Sequence, residues 1–119
     1  VKNEWIRALG SMTYGIYVLT SFYEKDINGM IASWVSQVSY DPLLIMVAVH
    51  PNRYSHNLID KSGCFALHVL AADQSNLLDR FKGSGNHTLF LGEVLEAQVI
   101  GEGNILSSQD YDGVYLGKS

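Results

Sequence analysis

Cysteine is almost absent from this sequence of 119 residues, since Cys64 is the only one. A single thiol can form neither a disulfide within the chain nor a cysteine-based zinc or iron–sulfur site. Free cysteines are usually buried as small apolar residues, so we expect Cys64 in the core rather than as a nucleophile. This cysteine usage fits a reducing compartment, and we predict a cytoplasmic protein.

Long hydrophobic runs and an excess of positive charge are also missing. The longest apolar run, residues 43–49, is less than half of the roughly 20 residues that a membrane helix needs, and no basic segment precedes it. Eight Lys and Arg stand against twelve Asp and Glu, a net charge of −4, and the basic residues are scattered singly. The sequence therefore argues against a membrane and against nucleic acid as partners.

What is present is the composition of one globular domain, with 47% hydrophobic and 17% charged residues. A chain of this length buries roughly two-thirds of its extended surface on folding. That is enough for one core but not for a deep, enclosed active site. We predict a single domain over residues 1–119, with any large ligand in a surface cleft or between subunits.

The first half of the chain reads as a helix followed by strands. Apolar residues at helical spacing predict a helix over residues 5–12 that lies across a sheet and ends near a glycine. Residues 14–21 predict a strand, and the DING sequence at residues 26–29 predicts the turn after it. Residues 30–40 predict a further strand.

The second half continues this pattern. Residues 43–50, separated from the preceding strand by Pro42, predict a strand buried on both faces. Ser55 is a good helix cap and Gly63 a stop, which predicts a helix over residues 55–60, and a strand over residues 64–71 follows.

The C-terminal third predicts another helix and a long strand. The helix is capped by Asp73 and ended by Gly83, the strand covers residues 88–100, and residues 114–116 add a short one. Gly92 predicts a bulge of the kind that a curving sheet needs to close on itself. Strands with single inserted helices predict a mainly β fold, a small closed antiparallel barrel with peripheral helices.

Two segments could bind a ligand. The small residues of segment 28–34 (NGMIASW) would leave a strand's backbone open to a flat ligand, although an ordinary edge strand has the same composition. Arg53 lies at the predicted start of a helix, where unpaired backbone N–H groups and a guanidinium suit a phosphate. A plain helix cap with a solvated arginine explains that second segment equally well.

The four histidines give no metal site. His68 alternates with apolar residues on a strand and is expected to be structural. His50 and His56 flank the proposed anion loop, but no third ligand stands at a suitable spacing, so we predict no metal. His87 lies at the entrance to the long strand, where its side chain either points into a cleft or belongs to a turn.

Four separated blocks, taken together, resemble the flavin reductase-like family of FMN-binding split barrels. They are segments 28–34 (NGMIASW), 39–42 (SYDP), 53–59 (RYSHNLI) and 86–94 (NHTLFLGEV). The segment 11–21 (SMTYGIYVLTS) is most similar to flavoredoxins and to the flavin domain of high-molecular-weight rubredoxins. The resemblance covers nearly the whole chain.

The resemblance implies a Greek-key split barrel that forms a homodimer, with one FMN per barrel in a groove near the subunit interface. Arg53 and Ser55 would hold the FMN phosphate. The remaining cofactor-binding positions that it implies are Ala32, Ser33 and Trp34 along the flavin, Ser39 and Pro42 beside its ring system, and Asn28 and His56.

His87 matches the histidine of the family's Gly-Asp-His block, which lies near the flavin and the nicotinamide, and it is the candidate catalytic residue. Asn86 replaces the aspartate of that block, so the family's carboxylate is absent at this position. Family members have a further loop and strand just before this block. Only four residues span that distance here, and a barrel without the strand would expose an unpaired edge. We therefore expect that residues between about 83 and 86 are missing from the sequence.

These residues predict an oxidoreductase that passes electrons from NAD(P)H through FMN to free flavin, to a rubredoxin or to another redox protein. Hydride transfer between nicotinamide and flavin needs aligned rings rather than a protein acid or base. An alternative is an FMN electron carrier without nicotinamide activity of its own. A third hypothesis is a non-redox barrel that binds haem or serves as an interaction module.

Overall fold

The computed structural model describes residues 2–74, 76, 88–99 and 107, which form a mainly β structure with short helices. The helices and strands in chain order are α1 (Asn3–Leu9), β1 (Tyr17–Tyr23), β2 (Asp26–Ala32), β3 (Val35–Ser39), β4 (Leu44–Val49), α2 (Tyr54–Ser62), β5 (Ala66–Val69) and β6 (Thr88–Glu93).

The strands form two antiparallel three-stranded sheets, in the orders β2-β1-β5 and β3-β4-β6. In the first sheet, Leu19 of β1 lies opposite Met30 on one side and Leu67 on the other. Among the described residues no ladder joins the two sheets. The described part of the chain thus has the antiparallel sheets of the predicted fold without a closed barrel.

The core lies between the two sheets. The first sheet contributes Leu19, Met30 and Ala32, the second contributes Val47 and Val49, and α2 adds its own apolar side chain, Ile59. Burial of each large aliphatic side chain stabilises the fold by about 1.5–3 kcal/mol. Because strand residues two apart share a face, this core fixes which side of β2 faces α2.

The first hairpin turns earlier than the sequence predicts. The DING segment lies inside β2, and the turn consists of Glu24 and Lys25, with Glu24 at a φ of 55°. Asn28 and Gly29 pair regularly with Ser21 and Thr20, so their turn chemistry is unused. A second prediction fails a few residues later, because residues 30–40 do not form one strand. β2 ends at Ala32, and β3 begins at Val35.

The last described strand is shorter than predicted, and its glycine is explained by close packing rather than by a bulge. β6 ends at Glu93 because its partner β4 begins opposite, at Leu44, just after the cis Asp41–Pro42 peptide. Gly92 pairs in regular register with Ile45 and forms no bulge. A Cβ there would lie 2.8 Å from the ring of Phe65, so close packing accounts for the glycine. The bulge falls in β3 instead, between Gln37 and Ser39.

Helix α1 forms as predicted and ends at Gly10, but it does not lie buried across a sheet. None of its residues is buried, and Trp5 and Leu9 are 56% and 63% exposed. Cys64 is also exposed, contrary to the expectation of a core position. It lies between Gly63, which ends α2, and the start of β5 at Ala66, outside the strands of both sheets.

Helix α2 begins at Tyr54, and the N-cap residue before it, Arg53, makes no capping bond with its side chain. The predicted cap, Ser55, instead lies within the first turn and is buried. Gly63 ends the helix as predicted, with a left-handed φ of 73°, and its N–H donates to the carbonyl oxygen of Ile59 at 2.7 Å. Glycine adopts this conformation without steric cost.

Several predictions concern residues outside the described part of the chain. They are the predicted helix from residue 77 onward, the junction at residues 83–86, His87 and the strand at residues 114–116. In the part that is described, no helix has the length and apolar character needed to cross a membrane.

Candidate functional site

The loop between β4 and α2 is folded by its own hydrogen bonds. The His50 carbonyl oxygen accepts from the Arg53 N–H at 3.0 Å, and the Asn52 N–H donates to His50 Nδ1 at 2.8 Å. These bonds close a tight turn between the end of β4 and the start of α2. Arg53 is thereby held at the helix start in an extended conformation, with φ −75° and ψ 141°.

The start of α2 concentrates positive charge. The first N–H groups of any helix have no partner within the helix, and Arg53 does not cap them with its side chain. The guanidinium of Arg53 is half-buried, and this burial lowers its pKa while leaving it a cation. Helix dipole and guanidinium together form a site suited to an anion with several oxygens.

Two side-chain bonds connect this helix start to β2. Asn28 Nδ2 donates to Ser55 Oγ at 2.9 Å, and Ser55 is 0% exposed. A hydrogen bond to Asp26 raises the pKa of the exposed Tyr54 above its ordinary value. The first turn of α2 thus lies over the first half of β2.

His56 lies beside Arg53 in the same turn. Its N–H donates to the Arg53 carbonyl oxygen at 3.1 Å, and its ring lies 5.2 Å from the ring of Phe90 at an angle of 57°. Phe90 belongs to β6, so this ring contact joins the helix start to the second sheet. Four of the predicted cofactor-binding residues, Asn28, Arg53, Ser55 and His56, therefore form one group.

A second group lies where β2 passes into β3. Ala32 and Ser33 are buried, whereas Trp34 is 43% exposed. The Trp34 carbonyl oxygen accepts from the N–H of Ala48 at 3.0 Å, two residues before His50. This group and the start of α2 consequently lie at the same end of β4.

Ser39 and Pro42 lie at the opposite end of the β3–β4 hairpin. Ser39 pairs with Leu44, the first residue of β4, and its carbonyl oxygen accepts from Gln37 Nε2 at 3.3 Å. Ser39 lies five residues after Trp34, about 16 Å along an extended strand at the usual rise. The structure therefore does not bring Ser39 and Pro42 next to the helix start. Their part in the site stays a prediction.

The remaining histidine predictions have different outcomes. His87 lies outside the described residues, and its role stays a prediction. His68 is exposed, and its Nε2 is 2.9 Å from Thr20 Oγ1, in keeping with a structural residue. Across residues 2–74, 76, 88–99 and 107, no group of three or more metal-ligating side chains occurs.

Sequence reasoning missed the Asn28–Ser55 bond and the contact of Phe90 with His56. The sequence contains a signal for the first. Asp26 and Asn28 are polar at alternate positions of a strand whose next residues on the same face, Met30 and Ala32, belong to the core. Polar side chains on the core-facing side of a strand predict polar hydrogen-bond partners on the element that packs against that side.

Comparison with known proteins gives a family match over most of the chain. The family model described as flavin reductase like domain matches residues 9–86. A ferric-chelate reductase (NAD(P)H) from Archaeoglobus fulgidus is 24% identical over an alignment of 156 positions, which covers 96% of this chain and 92% of the relative. A high molecular weight rubredoxin from Moorella thermoacetica is 24% identical over 93% of this chain and 67% of the relative.

Other relatives are matched over only part of their length. An FMN reductase (NADH) from Agrobacterium fabrum is 35% identical over 71% of this chain and 48% of the relative. An uncharacterized protein from Aeropyrum pernix is 32% identical over 82% of this chain, which spans only 37% of that relative.

Solved structures show the same fold. A flavin reductase domain protein from Arthrobacter sp. FB24 has a TM-score of 0.78 at 18% identity, with 90% of each chain covered. An NADH:FAD oxidoreductase from Streptomyces globisporus has a TM-score of 0.69 at 22% identity and covers 78% of this chain and 79% of that one. At these identities the structural similarity is evidence for the fold and not for a shared function.

Proposed function

Because the chain belongs to the flavin reductase-like domain family, we propose that it is an FMN-binding oxidoreductase of the flavin reductase type. It takes electrons from NAD(P)H and passes them through FMN to free flavin or to a redox partner protein. The names of the ferric-chelate reductase (NAD(P)H) and FMN reductase (NADH) relatives support this choice of donor and cofactor. We propose a cytoplasmic location.

The uncapped start of α2 beside the half-buried Arg53 carries this proposal. The phosphate of FMN is an anion with several acceptor oxygens, and guanidinium and helix N–H groups are matching donors. In this assignment Arg53 and the start of α2 hold the phosphate, with Ser55 and His56 in the same turn. The chemistry of the donors therefore fits the cofactor.

The ring system of FMN is assigned to the second group, Ala32, Ser33 and Trp34, with Ser39 and Pro42 farther along the hairpin. Small residues there allow a flat ring to approach the backbone, whose N–H groups tune its electron density. FMN, when bound, supplies the acceptor for hydride from the nicotinamide. We assign His87 to the open face of the ring, where it would position the nicotinamide.

The assembly and the full barrel belong to the same proposal. We propose a single-domain closed Greek-key split barrel that forms a homodimer, with FMN near the subunit interface. We also propose that a segment between about residues 83 and 86 is missing from this sequence. The alignment with the ferric-chelate reductase supports the last point, since it extends over 156 residues against the 119 of this chain.

An anaerobic mixing experiment tests the proposed reaction. FMN-reconstituted protein is mixed with NADH and, separately, with NADPH, and the visible flavin absorbance is followed. We expect rapid bleaching by at least one donor. The absence of bleaching by both, with FMN bound, would contradict a nicotinamide-dependent reductase.

An FMN electron carrier without nicotinamide activity is the second candidate function. The match to the high molecular weight rubredoxin favours it, because 93% of this chain is covered by that relative. A carrier would bind FMN tightly and exchange electrons with a reduced rubredoxin while neither nicotinamide bleached the flavin. Failure to bind FMN at all would favour the non-redox barrel instead.

Arg53→Ala provides a separate prediction about the phosphate. We expect this substitution to weaken FMN binding by about tenfold or more, since a charged hydrogen-bonding group is lost. Turnover of FMN-saturated protein should change much less, because Arg53 does not touch the reacting ring. Titration of FMN and steady-state rates at saturating FMN measure the two effects. Equal losses in both would place Arg53 at the ring.

A further inference from the structure

The start of α2 is attached to β2 by two neighbouring side-chain bonds. Ser55 accepts from Asn28, and the preceding residue Tyr54 is bonded to Asp26. Asp26 and Asn28 are two residues apart on β2 and so project from the same face of the strand. This is the face that carries Met30 into the core. Tyr54 and Ser55, which are consecutive in the helix, therefore bond Asp26 and Asn28, which are two residues apart in the strand.

The two bonds differ in strength because they differ in burial. Tyr54 and Asp26 are exposed, where water competes for both groups. Ser55 is fully buried and Asn28 half-buried, so breaking their bond would leave polar atoms without water. The Asn28–Ser55 bond is therefore the one that fixes the helix. Since the Ser55 hydroxyl faces β2 and is out of reach of solvent, Ser55 acts on a bound anion through the helix.

Strand β2 also leads to the second group of the site. Ala32, at its end, lies four residues from Asn28, about 13 Å along an extended strand. One strand thus carries the attachment of α2 and ends at Ala32, the first of the residues assigned to the flavin ring.

We propose that Asn28 and Ser55 form a positioning pair that sets the distance between the phosphate site at Arg53 and the ring site at residues 32–34. This inference rests on the proposed function, since it assumes that both sites hold one FMN molecule.

Affinities for FMN and for riboflavin, which lacks the phosphate, test the pair. We would measure both by fluorescence titration in wild type, Asn28→Ala, Ser55→Ala and the double variant. If the bond positions Arg53, each single variant should lose about tenfold in FMN affinity while riboflavin affinity stays unchanged. The double variant should lose no more than a single one, because either change breaks the same bond.

Ser62→Ala is the matched control, since Ser62 lies at the other end of α2 and bonds only its near neighbour Cys64 in the described structure. It should leave both affinities unchanged. Alanine favours helix at position 55, and thermal unfolding of each variant verifies that the fold is retained.

Two results would overturn the pair while leaving the proposed function intact. One is an unchanged preference for FMN over riboflavin in Asn28→Ala and Ser55→Ala, although Arg53→Ala reduces it. The other is an equal loss of FMN and riboflavin affinity, which a purely structural role would produce. Failure of the proposed reaction is seen separately, as the absence of flavin bleaching by either nicotinamide with FMN bound. Failure of the assigned phosphate site looks different again, because wild type itself would then bind FMN no more tightly than riboflavin. That result would overturn the positioning role as well.

Discussion

Ser21 lies directly opposite Asn28 in the β1–β2 ladder, beneath the first turn of α2. It is buried, and its hydroxyl has no hydrogen-bond partner among the residues that the structure describes. A buried polar atom without a partner costs free energy, so Ser21→Ala should leave the free energy of unfolding unchanged or raise it by up to about 1 kcal/mol. Chemical denaturation measures this.

The comparison for Ser21 is Ser55→Ala, which removes a hydroxyl of the same size from the same helix–sheet contact. Because that hydroxyl is bonded to Asn28, we expect a loss of about 1–2 kcal/mol. A loss of similar size in Ser21→Ala would mean that its hydroxyl also has a partner.

Tyr54 provides a prediction about pH. Its hydrogen bond to Asp26, together with partial desolvation, raises its pKa above 10.0, so the bond contributes stability below the ordinary tyrosine pKa. That contribution is lost as the pH rises through the raised pKa of the folded state. The difference between the ultraviolet titrations of wild type and Tyr54→Phe isolates this phenol. In Asp26→Asn its pKa should return toward the ordinary value, and an unchanged titration would contradict the bond.

Gly63 offers a test at the scale of the helix. Its φ of 73° lies in the left-handed region, and a Cβ there would meet nothing within 4 Å. Gly63→Ala should therefore cost about 1 kcal/mol of unfolding free energy through backbone strain alone. Gly63→Asn should cost less, because asparagine adopts this conformation more easily. Equal costs for both would point to a side-chain clash instead. Thermal or chemical unfolding distinguishes these outcomes.

Elements that depend on local pattern could be predicted from the sequence. The end of α2 was placed correctly because Gly63 has a conformation that glycine alone adopts easily. The first hairpin was misplaced because its turn, Glu24-Lys25, has no typical turn residue, whereas Asn28-Gly29 does. The Asn28 side chain does not serve a turn. It bonds Ser55, a residue 27 positions away.

Long-range contacts explain the other differences. The length of β6 depends on where β4 begins, and the reason for Gly92 is the ring of Phe65. Serine is a typical helix cap, but Ser55 is buried against β2 and bonds Asn28 instead of capping α2. The sequence alone predicts which residues form the candidate site and their order along the chain. The grouping of Arg53, His56, Ser55 and Asn28 required the packing of α2 on both sheets.

At the scale of the whole molecule, α1 presents an apolar surface, and none of the helix's own residues is buried. Trp5, Ile6 and Leu9 lie within two turns of this helix and are each at least 44% exposed. Contiguous exposed apolar surface is typical of protein interfaces. This surface is consistent with the proposed homodimer, to which α1 would contribute.

Sedimentation provides the measurement for this assembly. The 119-residue chain should behave as a particle of about twice 13.2 kDa. Leu9→Lys should shift it toward the monomer by placing a charge in the interface. Arg7→Ala, on the same helix, should not. A monomeric wild type would contradict the dimer, and a dimeric Leu9→Lys variant would place its interface away from α1.

The exposed thiol of Cys64 has a practical consequence. It follows the end of α2, a helix about 14 Å long whose other end carries Arg53. Since the chain has no second cysteine, a maleimide spin label attaches at this one position without mutagenesis. In an assembly of two identical chains, the labels would define a single inter-label distance, and a change of that distance on addition of FMN would report movement of one α2 relative to the other.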